Sequence, residues 1–402
     1  MRRTPFALIL LAALACGRHP AESQTSADVH RILATVIPKI EKTVGLTFKT
    51  PPVVEIRTRA QVNAYLKAKL AHDLPPALLE HERTAYVLFR FIPDTLDLQA
   101  LLLNVLSEQV MGYYDPDSAA LFVVDGTDPA KLQLVLGHEL VHALQGQYVP
   151  LDSILSQETD GDRRAAAQAV MEGQATLASV DAMVSKEQMA QLPNFWNDFR
   201  DQIREAQRQM PVFASAPLVV RESLIFPYVD GAEFMRWFDR TYPDTVPYGP
   251  RLPVSTEEIL HPDRYRAGDR PVTLRFRDST EYSDDLGELG ARMLLQQLSG
   301  SSSLGNAGAL DWGGDRYALF PAGTGTALVW WSVWDDAHAA DRFATLLRAQ
   351  WGKLTESGRR WSVDRMDVSR HPGVRFVDAP TGWPRWKDIP GVEVARDSSA
   401  TH

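Results

Sequence analysis

Apolar residues recur at helical spacing through 27–46, with Pro38 a candidate break, and again through 59–72 and 97–111. Residues 51–58 read as a strand. The stretch 112–126 reads as a hairpin turning on Asp115-Pro116-Asp117-Ser118. Three more helical patterns cover 163–185, 231–242 and 285–299. Between the hairpin and the first of these lies a strongly marked helix. Asp128 suits its N-cap, Pro129 its first helical position, and Gly146 the residue just past its end. Leu132, Leu136, Leu140 and Ala143 form its apolar stripe. His138 and His142 project together on the other side, about 40° apart.

The glycine- and serine-rich stretch 300–308 reads as a linker, and beyond it the composition shifts: eight of the ten tryptophans lie past residue 311. Strand patterns at 316–321 and 326–334, a helix over 335–352, and strands at 361–368 and 374–379 predict a small α+β unit. In 327–334 strict alternation sends Val329, Trp331 and Val333 one way and Trp330, Ser332 and Trp334 the other. Core packing against the following helix accounts for them better than a ligand surface does. The pattern as a whole predicts an α+β protein with a first domain over 27–300, a Trp-rich domain over 309–380 and a frayed tail over 381–402.

Composition narrows the class. Of 402 residues, 45% are hydrophobic and 23% charged, enough to bury a real core. The formal net charge of -9 argues against nucleic acid or an anionic membrane as the main partner. At the N-terminus, Met1-Arg2-Arg3 precedes an apolar run over 5–15, too short for a permanent span, which reads as a signal peptide over 1–15. Ala13-Leu14-Ala15 suits ordinary cleavage. Cys16, the only cysteine, sits where a bacterial lipoprotein would be lipidated, although Ala13 stands where leucine is usual. Residues 16–26 read as a tether. The expected location is the cell envelope, as a lipoprotein or a secreted protein, with membrane contact only through a lipid on Cys16.

The chemistry centres on His138-Glu139-Leu140-Val141-His142. Two histidines at i and i+4 supply a pair of zinc ligands, and a catalytic zinc needs a third protein ligand and an open position. Glu139 projects beside them, placed to take a proton from zinc-bound water and pass it to a leaving amine. A three-histidine site would need glycine at 145 and histidine at 148, and the chain has Gln145 and Tyr148. Glu172, in an alanine-rich helix nearly free of charge, is the leading third ligand, because a carboxylate there needs a cation. Glu158, Asp160, Asp162 and His261 are the competing ligands. Gly173, Ala175 and Ala178 would let that helix pack closely on the first.

His-Glu-Leu-Val-His-Ala-Leu-Gln followed by Glu-Gly-x-Ala-Thr resembles the gluzincin group of zinc metallopeptidases, the thermolysin-like clan, and within it the exported bacterial members. The likeness runs over 108–265 and takes in "EQVMGYYDP", "FPYVDGAEF" and "STEEILHPDRY". It implies a zincin-like catalytic domain, Zn2+ on His138, His142 and Glu172, Glu139 as the base, and a peptide or protein substrate. It brings forward Tyr228 and His261 as catalytic donors to the oxyanion. It also suggests that the strand near 121–124 lines the substrate cleft. One position departs from the pattern: Thr176 stands where an aspartate often orients a ligand histidine, leaving that partner unassigned. The alternatives are a zincin-fold protein that binds or assembles at the envelope without cleaving, and an amidase acting on cell-wall peptides.

Overall fold

A computed structural model describes residues 26–150, 160–184, 188, 191, 194–354 and 357–395. The expected signal peptide, Cys16 and Glu158 lie outside them. The helices are α1 (Ser26–Val44), α2 (Arg59–Asp73), α3 (Pro76–Leu88), α4 (Leu98–Gln109), α5 (Pro129–Tyr148), α6 (Gly161–Met183) and α7 (Phe195–Arg208). There follow α8 (Pro211–Ser215), α9 (Leu218–Thr241), α10 (Thr256–Leu260), α11 (Pro262–Ala267), α12 (Gly287–Ser299), α13 (Ser302–Ala309) and α14 (Ala337–Trp351). The strands are β1 (Val53–Arg57), β2 (Gly112–Asp115), β3 (Ala120–Val124), β4 (Leu274–Phe276) and β5 (Tyr282–Asp284). After them come β6 (Trp312–Ala322), β7 (Gly325–Trp334), β8 (Arg359–Arg365), β9 (Gly373–Pro380) and β10 (Val392–Val394). The architecture is α+β, as expected. No helix among the described residues is long and apolar enough to cross a membrane.

Two compact units emerge: described residues of Met1–Pro76, Asp97–Ser156 and Ala167–Leu252 form the first, those of Ala77–Leu96, Gln157–Ala166 and Pro253–His402 the second. In the first, a three-stranded sheet has the order β1-β3-β2, with β1 parallel and β2 antiparallel to β3. All five residues of β3 are buried because both sheet faces are covered. Leu121 and Val123 pack with α1, α5 and α6, while Ala120, Phe122 and Val124 pack with α2, α4 and Tyr228. Helix α1 seats Val29, Leu33, Val36 and Ile40 in the first of these cores. Pro38 does not break it. Pro38 and Ala34, whose carbonyl it leaves without an N–H partner in the helix, are both exposed residues. Likewise α9 continues through Pro227, and its first half, absent from the sequence reading, buries Val219, Val220, Ile225 and Phe226.

The second unit is built on an antiparallel sheet of order β5-β6-β7-β9-β8. Trp330 and Trp334 lie edge-on and stacked against Phe343 of α14, and both are 1% exposed. Trp331 goes to the other face with Val329 and Val333, beside β4 and β10. The tryptophans are core, as the alternation suggested. Two expectations are corrected here. The stretch 300–308, read as a linker, is mostly α13, capped by Ser301, with α12 and β6 on either side of it in one unit. Its glycines serve packing: a Cβ on Gly305 would meet the Arg292 carbonyl oxygen at 2.6 Å, and one on Gly308 would meet Leu295 at 2.3 Å. The tail, read as frayed, forms a 3-10 turn over Pro384–Lys387 and then β10, whose residues pair with β4. The indole of Trp331 donates to the Pro390 carbonyl and pins this return.

Candidate metal centre

Helix α5 presents His138 and His142 one turn apart, and α6 presents Glu172 to both. Their Nε2 atoms are 3.0 Å apart, and Glu172 Oε2 lies 3.1 Å from His138 Nε2 and 3.4 Å from His142 Nε2. Bonds of about 2.0–2.2 Å to one first-row metal ion, at roughly tetrahedral angles, give donor separations of about 3.3–3.6 Å, so the three atoms stand within a few tenths of an ångström of the spacing an ion would set. All three residues are buried, His138 at 1% exposure and His142 and Glu172 at 2%. The three could hold a metal ion.

The donor set fits a cation on charge as well as geometry. Burial lowers the pKa of His138 to about 4, against the pull of Glu172, so its imidazole is neutral near pH 7. Burial would raise Glu172, but the two histidines outweigh it and carry the group down to about 2. The two groups are therefore in the forms that ligate a metal ion, an ionised carboxylate and a neutral imidazole. Glu139 lies beside them. It is wholly buried, and both its carboxylate oxygens have no hydrogen-bond partner among the described residues. Burial and then Glu172 push its pKa well above the usual carboxylate range, opposed by the nearby Tyr114 backbone N–H.

The walls of the site come from elements distant in sequence. Gly112 and Tyr114 of β2 face α5. A Cβ on Gly112 would meet Val135 at 2.6 Å and Glu139 Cγ at 3.6 Å. Gly146, expected just past the helix end, lies inside α5, and a Cβ there would meet the Tyr114 hydroxyl at 3.0 Å. Both glycines let the strand lie close to the helix that carries Glu139. The strand expected to line the cleft, β3, is flanked on both edges by β1 and β2. A peptide adding to this sheet beside α5 would therefore meet β2. Gly173, expected to face α5, instead meets α9: a Cβ there would lie 2.2 Å from Gly231 C. Ala175 and Ala178 do join the α5 core. Two backbones in contact at Gly173 and Gly231 fix Glu172 one residue away, which gives the "VDGAEF" stretch a physical role.

Of the other candidates, Tyr228 is 5% exposed and its ring stacks on His138, centroids 5.9 Å apart at 27°. His261 belongs to the second unit, where its Nε2 lies 2.9 Å from Glu288 Oε1. Asp160 and Asp162 lie there too and accept from Arg163 N and Thr256 N at 3.2 and 3.0 Å. The sequence reading missed Gln145, whose Oε1 is 2.8 Å from His142 Nδ1. Its i+3 spacing on α5 was the available signal. At the departure from the gluzincin pattern, Thr176 is buried. Its Oγ1 and His138 Nδ1 both have no hydrogen-bond partner among the described residues.

Comparison with known proteins reaches only the second unit. Residues 274–381 match a family described as a domain of unknown function (DUF8575). Neither the curated proteins nor the solved structures gave a match. That family takes in strands β4 to β9 and leaves His138, His142 and Glu172 outside it.

Proposed function

We propose that the chain is a zinc-dependent metallopeptidase of gluzincin type, exported to the cell envelope and cutting peptide bonds in a zincin-like first unit. The observation that carries this reading is the wholly buried Glu139 carboxylate beside three convergent ligand atoms. A metal-binding protein without catalysis has no use for a second buried carboxylate at that place. His138, His142 and Glu172 would hold the ion. Two imidazoles and one carboxylate form a donor set that suits zinc. Zinc supplies a Lewis acid for the scissile carbonyl and makes water near it more acidic.

The remaining work falls to the chain itself. Glu139 takes the proton of the attacking water on its carboxylate, and its raised pKa keeps that proton available for the leaving amine. Burial of the four residues excludes bulk water from the transfer. Tyr228, stacked on a ligand histidine, is the oxyanion donor this unit supplies. The test is turnover of a quenched fluorescent peptide library by the zinc-loaded chain. Cleavage lost on chelation, regained with zinc and absent in Glu139→Gln supports the reading. Equal turnover by Glu139→Gln, or none by the zinc-loaded wild type, overturns it.

A further inference from the structure

The amide of Gln145 sits at a junction whose chemistry leaves it one orientation. Its Nε2 lies 3.1 Å from the Met171 carbonyl oxygen and 2.9 Å from Gln174 Oε1. A backbone carbonyl can only accept, so the nitrogen of the amide must face it. The oxygen Oε1 then faces His142 Nδ1 at 2.8 Å, and an amide oxygen can only accept in turn. His142 therefore carries its proton on Nδ1, and its Nε2 lone pair points to the place where His138 Nε2 and Glu172 Oε2 converge. The chain of bonds does not stop at Gln145. Gln174 Oε1 also accepts from the Tyr248 hydroxyl, and Tyr248 packs on Ala167 and Met171. Gln145 is 1% exposed, so water does not compete for these bonds.

We propose that Gln145, oriented by the Met171 carbonyl and the Gln174–Tyr248 pair, is the positioning residue that sets the tautomer of His142 and holds its Nε2 ready for the metal. The inference rests on the reading of His138, His142 and Glu172 as a metal site, but its structural half stands apart from that reading. Glu172 follows Met171 directly, so the carbonyl that orients Gln145 adjoins the third ligand. One peptide unit of α6 thereby ties two ligands from different helices to a common frame. The relation is a geometric one, and it asks nothing of Gln145 in contact with substrate.

The experiment uses the full chain with 15N-labelled histidine and zinc alone as the probe. In the metal-free wild type, His142 is expected to show a protonated Nδ1 and a bare Nε2. In Gln145→Leu that preference is expected to be lost, and zinc affinity, read by competition with a chromophoric chelator, to fall about ten- to a hundredfold. Gln145→Glu keeps an acceptor for Nδ1 while losing both donors. It is expected to keep the Nδ1–H tautomer and to bind zinc more tightly than the leucine variant. The wild-type spectrum serves as the test even where the leucine variant fails to fold. An Nε2-protonated His142 in the wild type overturns the proposal. So does a folded Gln145→Leu that binds zinc as the wild type does. A wild type with the expected tautomer and no zinc affinity removes the positioning role and the metal reading together, leaving only a structural bond.

Discussion

Adding one methyl group at Gly173 tests how the third ligand is held. The Cβ of Gly173→Ala would lie 2.2 Å from the Gly231 carbonyl carbon, 2.3 Å from its oxygen and 2.8 Å from Ala232 N. Ordinary contacts of this kind need about 3.5 Å. The obstacle is backbone, so no rotamer change relieves it, and α6 and α9 must move apart by roughly 1 Å. Overpacking of this sort costs about 1–3 kcal/mol, and the rigid partner puts this case at the upper end, about 3 kcal/mol. Glu172 is the next residue, and it must meet two Nε2 atoms at 3.1 and 3.4 Å. A shift of that size would also spoil the donor triangle. Urea unfolding should show a lower midpoint with an unchanged slope, and chelator competition should show weaker zinc binding by about tenfold or more. A Gly173→Ala chain with the wild-type midpoint and wild-type zinc affinity would refute the argument that this helix contact sets the ligand.

Tyr228→Phe should lower kcat on a peptide substrate about a hundredfold while leaving zinc affinity within about threefold, measured by steady-state kinetics and chelator competition; an unchanged kcat would remove it as the donor. The second unit should be less stable at high pH. Burial first of all raises Glu82 to about 7, Asp162 to about 8 and Glu257 to about 9. Each contribution is therefore fully present below the unfolded carboxylate range and is lost as pH rises through these values. Thermal melts of chelator-treated protein should fall from about pH 6 to about pH 9, and a rise over that window would contradict the sign.

Much of the site was legible in the sequence because its key signal is local. Two histidines and a glutamate on one helix need only helical spacing, and Glu172 stood out as a lone carboxylate among alanines. The type of Gln145 excludes a third histidine, and its place three positions along the helix is contact distance from His142. The partner of Gly173 could not be read, since Gly231 lies far along the chain and nothing local couples them. Helix α3 leaves no periodic stripe in the sequence, because only Ala85 and Leu88 are buried on it. The linker reading of 300–308 failed for a related reason. Glycines that permit close packing and glycines that permit flexibility look alike until their neighbours are known.

The most direct measurement is the metal content of the purified, zinc-reconstituted chain, set beside that of His138→Ala and Glu172→Ala. About one zinc per wild-type chain is expected, and a loss of it in each variant with the fold intact by circular dichroism. A folded wild type that carries no zinc after reconstitution, or variants that keep it, would rule out His138, His142 and Glu172 as a metal site.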